Sequence, residues 1–234
     1  MSAIRENLQA VRRRIADAAD NAQREAQRIE LLAVSKTFDA AAVIDAAGAG
    51  QYAFGENYLQ EALDKMASIR ALQPELKLEW HFIGPIQSNK TRAIAAHFDW
   101  VHSVDREKIA QRLSDQRPAE LAPLNICLQV NISGEASKSG ALPAEVPALA
   151  AAIAQLPRLR LRGLMAIPEP EDDETRQRAA FGKMHALYQR LRADGLPLDT
   201  LSMGMSADMD AAIAEGATIV RIGSAIFGNR DYAK

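Results

Sequence analysis

The chain has a single cysteine, Cys127, in 234 residues. It lies in an apolar run and has no partner for an internal disulfide, which fits a reducing compartment. No apolar run approaches the roughly 20 residues of a membrane span. The stretch Met1 to Glu30 is charged throughout and lacks the apolar core of a signal peptide. A cytoplasmic protein, away from the membrane, is expected. An excess of charge is missing too: 28 Lys and Arg against 30 Asp and Glu leave a net charge of −2, which argues against a nucleic-acid binder. The 4 histidines (His81, His97, His102 and His185) show no metal-ligand spacing with the cysteine or with one another. No zinc site is expected, and His81 and His102 are read as packing at strand edges. No Gly-x-Gly-x-x-Gly follows the first strand, which weakens a dinucleotide-binding fold. Low-complexity segments and domain linkers are absent as well.

What is present is an alternation of apolar runs and helical spacings. Ile4, Leu8, Val11 and Ile15 recur at helical intervals, giving an N-terminal helix over about 2–27, with Arg12-Arg13-Arg14 solvated. Eight strand-like runs follow: 31–34, 52–54, 79–83, 100–104, 124–132, 159–167, 200–203 and 218–222, with a helical stretch after each of the first seven. Eight such units in this length favour a single α/β domain, a (β/α)8 barrel over about 31–228, over an open doubly wound sheet. Function in such a barrel sits at the C-terminal strand ends. Lys36, Asn57, Gly84, Ser206 and Gly223 fall at those ends or just beyond.

Two stretches carry chemistry. Leu31-Leu32-Ala33-Val34-Ser35-Lys36-Thr37 delivers an amine to the end of the first strand. A desolvated lysine lowers its pKa and can condense with a carbonyl; the alternative is an exposed lysine one residue past the strand. Thr218-Ile219-Val220-Arg221-Ile222-Gly223-Ser224 forms the last strand. If Val220 and Ile222 face helices, Arg221 points into the barrel and needs an acceptor: either a ligand atom or an inward acid such as Glu79. Gly223 and Ser224 suit a phosphate site after the eighth strand. Ser206, read as the N-cap of a helix over 207–214, faces the same place from the neighbouring loop or serves only as a cap. Asp208 and Asp210 must then point away from any phosphate. A lysine, a phosphate cradle and a partner for a ring nitrogen are what pyridoxal phosphate requires.

The ordered stretches Ala33-Val34-Ser35-Lys36-Thr37, Phe54-Gly55-Glu56-Asn57-Tyr58, Trp80 to Lys90, Gly163-Leu164-Met165, Ser202 to Asp208, and Val220-Arg221-Ile222-Gly223 with Ile226-Phe227-Gly228 resemble the YggS/PROSC family of pyridoxal-phosphate homeostasis proteins over nearly the whole chain. The resemblance implies a barrel similar to the N-terminal domain of alanine racemase, with pyridoxal 5′-phosphate (PLP) as cofactor in a Schiff base on Lys36. It also implies that Ser206, Gly223 and Ser224 hold the phosphate, that Arg221 meets the pyridine nitrogen and that Asn57 lies near the ring. Racemases of this type draw a second base from an additional β domain, and only Asn229 to Lys234 follow the barrel here. Members commonly carry a basic residue soon after the lysine, where this chain has Phe38 and Asp39; Lys138 matches a family lysine or is a solvated charge. The implied function is a non-enzymatic PLP carrier or regulator, expected as a monomer, with PLP-dependent enzymes as recipients. A weakly active PLP-dependent racemase and a Schiff-base aldolase on sugar phosphates are the competing readings.

Overall fold

Each strand of the chain must satisfy two surroundings at once, because successive side chains point alternately to the helices and to the barrel axis. The structure, a computed structural model, describes residues 2–134 and 139–228. Lys138 lies outside them. Helix α1 (Ala3–Asn21) leads into β1 (Glu30–Val34), α2 (Ala40–Gly48), β2 (Ala53–Glu56) and α3 (Leu59–Leu72). β3 (Glu79–Phe82), α4 (Thr91–His97), β4 (Trp100–Val104), α5 (Glu107–Gln116), β5 (Leu124–Gln129) and α6 (Val146–Ala154) continue the alternation. β6 (Leu159–Met165), α7 (Glu174–Ala193), β7 (Thr200–Ser202), α8 (Met209–Ala214), β8 (Ile219–Ile222) and α9 (Ser224–Phe227) complete it. The strands pair in parallel in sequence order, and β8 closes on β1 with Leu31 opposite Val220 and Leu32 opposite Arg221. The expected (β/α)8 barrel is therefore the observed architecture.

Most of the apolar core lies between sheet and helices. Phe54, Phe82, Phe98 and Phe181 are fully buried there, and Phe82 meets Phe98 edge-on at 5.2 Å. Burying a side chain of this size contributes roughly 1.5–3 kcal/mol. The barrel interior is different. Leu32, Ala53 and Ile219 form one small apolar cluster and Trp100, Cys127 and Met165 another. Polar side chains, described below, occupy the rest, where barrels usually stack branched apolar residues. Burial pushes the Cys127 thiol far above its ordinary range, so it is an inert packing group.

Three local readings are corrected. The first helix stops at Asn21, short of the expected 27, because Gln23 adopts φ 54° and turns the chain into a short 3-10 segment at Ala26–Arg28. The arginine run is not simply solvated. Arg12 donates to the carbonyls of Ala49 and Gly50 at the end of α2, and Arg14 bridges Asp210 and the Ser206 carbonyl. These contacts clamp α1 between α2 and α8. Helix α8 begins at Met209, after Asp208 and not after Ser206, with the Asp208 carboxylate accepting from Met205 N–H at 2.6 Å. Among the described residues no helix is long and apolar enough to cross a membrane.

Close strand pairing places one demand on sequence. A Cβ added at Gly163 on β6 would lie 1.7 Å from the Thr200 carbonyl oxygen on β7. Neither backbone can yield without breaking the barrel seam. Gly163→Ala is expected to destabilise the fold by at least about 2 kcal/mol, read as a lowered urea midpoint.

Candidate functional site

The turn after β1 carries Lys36, half-buried, between Ser35 and Thr37. Thr37 has φ 70°, a left-handed conformation that a β-branched residue rarely adopts and that costs about 1–3 kcal/mol. The neighbouring contacts explain how it is held. Thr37 N–H donates to Glu61 Oε1 at 2.6 Å, and Ser35 Oγ donates to Glu56 Oε1 at 2.6 Å. Lys65 on α3 joins the two sides. Its buried ammonium donates to Glu56 at 2.6 Å, to the Ser35 carbonyl at 2.8 Å and to Glu61 at 3.1 Å. Burial pushes the Glu56 carboxyl up while Lys65 and Ser35 pull it down, and burial is the larger effect. Phe38, in the place of a basic residue, stacks on Phe227 at 5.0 Å, and Asp39 caps α2 through Ala42 N–H.

Arg221 does point into the barrel. It is 4% exposed, and its two described hydrogen bonds go to Ser202 Oγ at 2.8 Å and to the Ala166 carbonyl at 2.9 Å. The pairing with Glu79 does not form; Glu79 instead accepts from His81 at 2.8 Å. Among the described residues Arg221 makes no ion pair, so its cation rests on neutral oxygens. Burial lowers its pKa to about 10, which leaves it charged at neutral pH.

The remaining candidates converge on the same rim. Asn57 follows β2, and its Oδ1 is buried without a partner. A Cβ at Gly84 would meet the Asn57 carbonyl oxygen at 2.2 Å, so this glycine lets the chain after β3 close over Asn57. Gly223 follows β8, where a Cβ would sit 3.2 Å from the Val34 carbonyl, and Ser224 opens α9 in an exposed position. Ser206 lies half-buried in the turn between β7 and α8. Because β7, β8, β1 and β2 are consecutive neighbours, Lys36, Asn57, Ser206, Arg221, Gly223 and Ser224 share one side of the barrel. Asp210 is turned onto Arg14, and one oxygen of Asp208 is taken by Met205 N–H.

The histidines depart furthest from the sequence expectation. His81 and His102 are not edge residues: both are fully buried inside the barrel and hydrogen-bonded to each other at 2.9 Å. Ser202 and the Glu56–Lys65 pair also escaped the sequence reading. The signal was the strand alternation itself, since Glu79 and His81, like Trp100 and His102, stand two residues apart on one face. Ligand atoms of Glu30, Glu79 and His81 lie within 4.8 Å of one another at the other end of the barrel.

Residues 1–231 match the family described as "Alanine racemase, N-terminal domain", which defines the class of barrel. Curated relatives narrow it. The pyridoxal phosphate homeostasis protein of Pseudomonas aeruginosa is 63% identical over 232 residues, covering 99% of this chain and 98% of its own length. Its counterpart in Escherichia coli K12 is 56% identical over 234 residues, covering 100% of both. The chain belongs to the pyridoxal phosphate homeostasis protein family. PipY of Synechococcus elongatus, solved with PLP bound, superposes with a TM-score of 0.82 at 36% identity, over 96% of this chain and 100% of PipY. Alanine racemase of Corynebacterium glutamicum, at 19% identity and a TM-score of 0.67, shares the fold; the match covers 99% of this chain and 62% of the racemase.

The Lys36 turn depends on a buried ion pair. Lys65→Met would strand the Glu56 carboxylate and is expected to cost about 3–5 kcal/mol. Adding Glu56→Gln should recover most of the loss, as a denaturation double-mutant cycle would show.

Proposed function

We propose that this chain binds PLP as a Schiff base on Lys36 and serves intracellular PLP homeostasis as a cytoplasmic, monomeric carrier or regulator, with PLP-dependent enzymes as recipients and no catalytic turnover of its own. The names of its close relatives and the PLP-bound PipY structure support the cofactor. The observation that carries the reading is the buried Arg221 held by two neutral oxygens.

The residues present fit the group. PLP supplies an aldehyde that condenses with a primary amine, a phosphate, and a ring nitrogen able to accept a hydrogen bond. Lys36 is the amine, presented by a turn whose backbone is fixed by Ser35 and Thr37 on either side. Ser206, Gly223 and Ser224 would hold the phosphate through hydroxyls and backbone N–H groups after β7 and β8. Asn57, with a buried amide oxygen lacking a partner, would lie along the ring. Arg221 would meet the ring nitrogen. A guanidinium donates and cannot accept, so it leaves that nitrogen without a proton and weakens the ring as an electron sink. A site of this kind favours holding the cofactor over strong carbanion chemistry, and the names of the close relatives support a carrier or regulator over a racemase.

Lys36→Ala is expected to remove the visible absorption band that wild-type protein develops with PLP. It should also weaken binding at least about tenfold, or about 1.4 kcal/mol, by equilibrium dialysis. A wild-type spectrum in the variant would assign the covalent link to another amine.

A further inference from the structure

A single file of hydrogen bonds crosses the barrel interior. Glu79 Oε1 lies 2.8 Å from His81 Nε2, His81 Nδ1 lies 2.9 Å from His102 Nε2, and His102 Nδ1 lies 2.8 Å from Ser202 Oγ. The Ser202 hydroxyl in turn accepts from Arg221 at 2.8 Å. One end is Arg221, on the side of the barrel that carries Lys36. The other is Glu79, whose side chain is 46% exposed at the N-terminal rim, where it lines a cavity of about 580 Å³ with Arg12, Glu30 and Tyr52.

With both imidazoles neutral, elementary donor chemistry fixes the direction of this file. A guanidinium can only donate, and an ionised carboxylate can only accept. Ser202 must therefore accept from Arg221 and pass its own hydroxyl proton to His102 Nδ1. His102 then carries its proton on Nε2 and gives it to His81 Nδ1, and His81 carries its proton on Nε2 and gives it to Glu79. Every link is made with both imidazoles neutral. Reversal at any link would turn the Ser202 hydroxyl proton off His102, or set two donors face to face.

The surroundings favour the same state. Burial holds the His102 imidazolium well below its usual range, a charge on His81 would oppose a second one beside it, and Arg221 acts the same way. Hydrogen bonds from His81 and Trp100, with Arg162 nearby, hold the Glu79 carboxyl below its usual range. Glu30 faces Glu79 at the rim, and Asp208 is the acidic group nearest to Arg221 in electrostatic effect.

We propose that Glu79, His81 and His102 are remote positioning residues. Through Ser202 they orient the guanidinium of Arg221, so that an acceptor at the N-terminal rim determines how tightly the opposite side of the barrel holds its ligand. The inference rests on the PLP reading only for the identity of that ligand. Glu79 sets the polarity of the file because it is the one member that accepts without donating. Its removal leaves the two tautomer orders of His81 and His102 nearly equivalent, and in one of them the Ser202 oxygen must accept from His102 as well as from Arg221.

The test uses full-length protein and two readouts. Imidazole 15N shifts of protein without cofactor should show both His81 and His102 as neutral Nε2–H tautomers. Glu79→Ala, a change at the rim that spares the core, should give His102 a mixture of tautomers and weaken PLP binding about fivefold or more. Glu79→Gln keeps an acceptor oxygen and should lie close to wild type in both readouts. A wild-type His102 protonated on Nδ1, or a Glu79→Ala protein with unchanged tautomers and PLP affinity, would overturn the proposal. If wild-type protein fails to bind PLP, the functional reading falls, and the tautomers of wild type and Glu79→Ala still decide the relay.

Discussion

A permanent positive charge sealed inside a barrel is the constraint around which this protein is built. Arg221 cannot shed its proton at physiological pH, and desolvating an ion is tolerable only when its donors are met. The chain meets two of them with a serine hydroxyl and a backbone carbonyl, and among the described residues no carboxylate pairs with the guanidinium. Those acceptors come from β7 and from the chain just after β6, so the arginine depends on barrel closure. Ser202 can accept from Arg221 and still give away its own proton only because His102 waits on its far side. The polar file through the interior is thus the consequence of one buried cation, and the two small apolar clusters flank it.

The lysine on the neighbouring strand is treated differently. Lys36 sits on a turn instead of in the strand, and the cost of that turn is concentrated in the left-handed backbone of Thr37. A strained β-branched residue persists only where its surroundings over-determine it. Here Glu56 at the end of β2, with Glu61 and the Lys65 ammonium on α3, binds the residues on each side of Lys36. The position of the amine is therefore set by a layer outside the barrel, while that of the arginine is set from within. The β8–β1 pairing, with Leu32 opposite Arg221, is what relates the two.

Much of this was legible in the residues. Strands rich in apolar residues and punctuated by glycine and proline reveal their number and order, and eight of them in this length leave little but a barrel. Lys36 and Arg221 stand out because a charge at an apolar strand position has few uses. His81 and His102 did not stand out. A short run such as Glu-Trp-His-Phe alternates polar and apolar residues, which in an open sheet means one wet face; only closure turns that face inward. Their partner Ser202 is 100 residues from His102 in sequence, a pairing that no local pattern encodes. Ser206 and Asp208 are both capping residue types two positions apart, and the helix starts after Asp208, whose carboxylate turns back to Met205 N–H. Lys65 was hidden on an exposed-looking helix, although its neighbours Ala62, Met66 and Ile69 are buried.

Of the three buried cations among the described residues, Arg117 packs on backbone carbonyls outside the site, and Lys65 and Arg221 differ in what they leave for a ligand. Lys65 is spent: it meets Glu56 directly, reaches Glu61 and the Ser35 carbonyl, and has three hydrogen bonds for three protons. Breaking such a pair exposes an uncompensated charge, but the intact pair offers nothing to a ligand. Arg221 is held by two neutral oxygens, which orient the guanidinium without cancelling its charge. A full counter-ion would have made it more comfortable and less useful, since an incoming acceptor would have to compete with a carboxylate. Keeping the acid, Glu79, four hydrogen bonds away leaves the field of the cation available while still fixing the direction of every proton between them. That separation explains why a barrel interior normally filled with branched apolar side chains here makes room for two histidines and a serine.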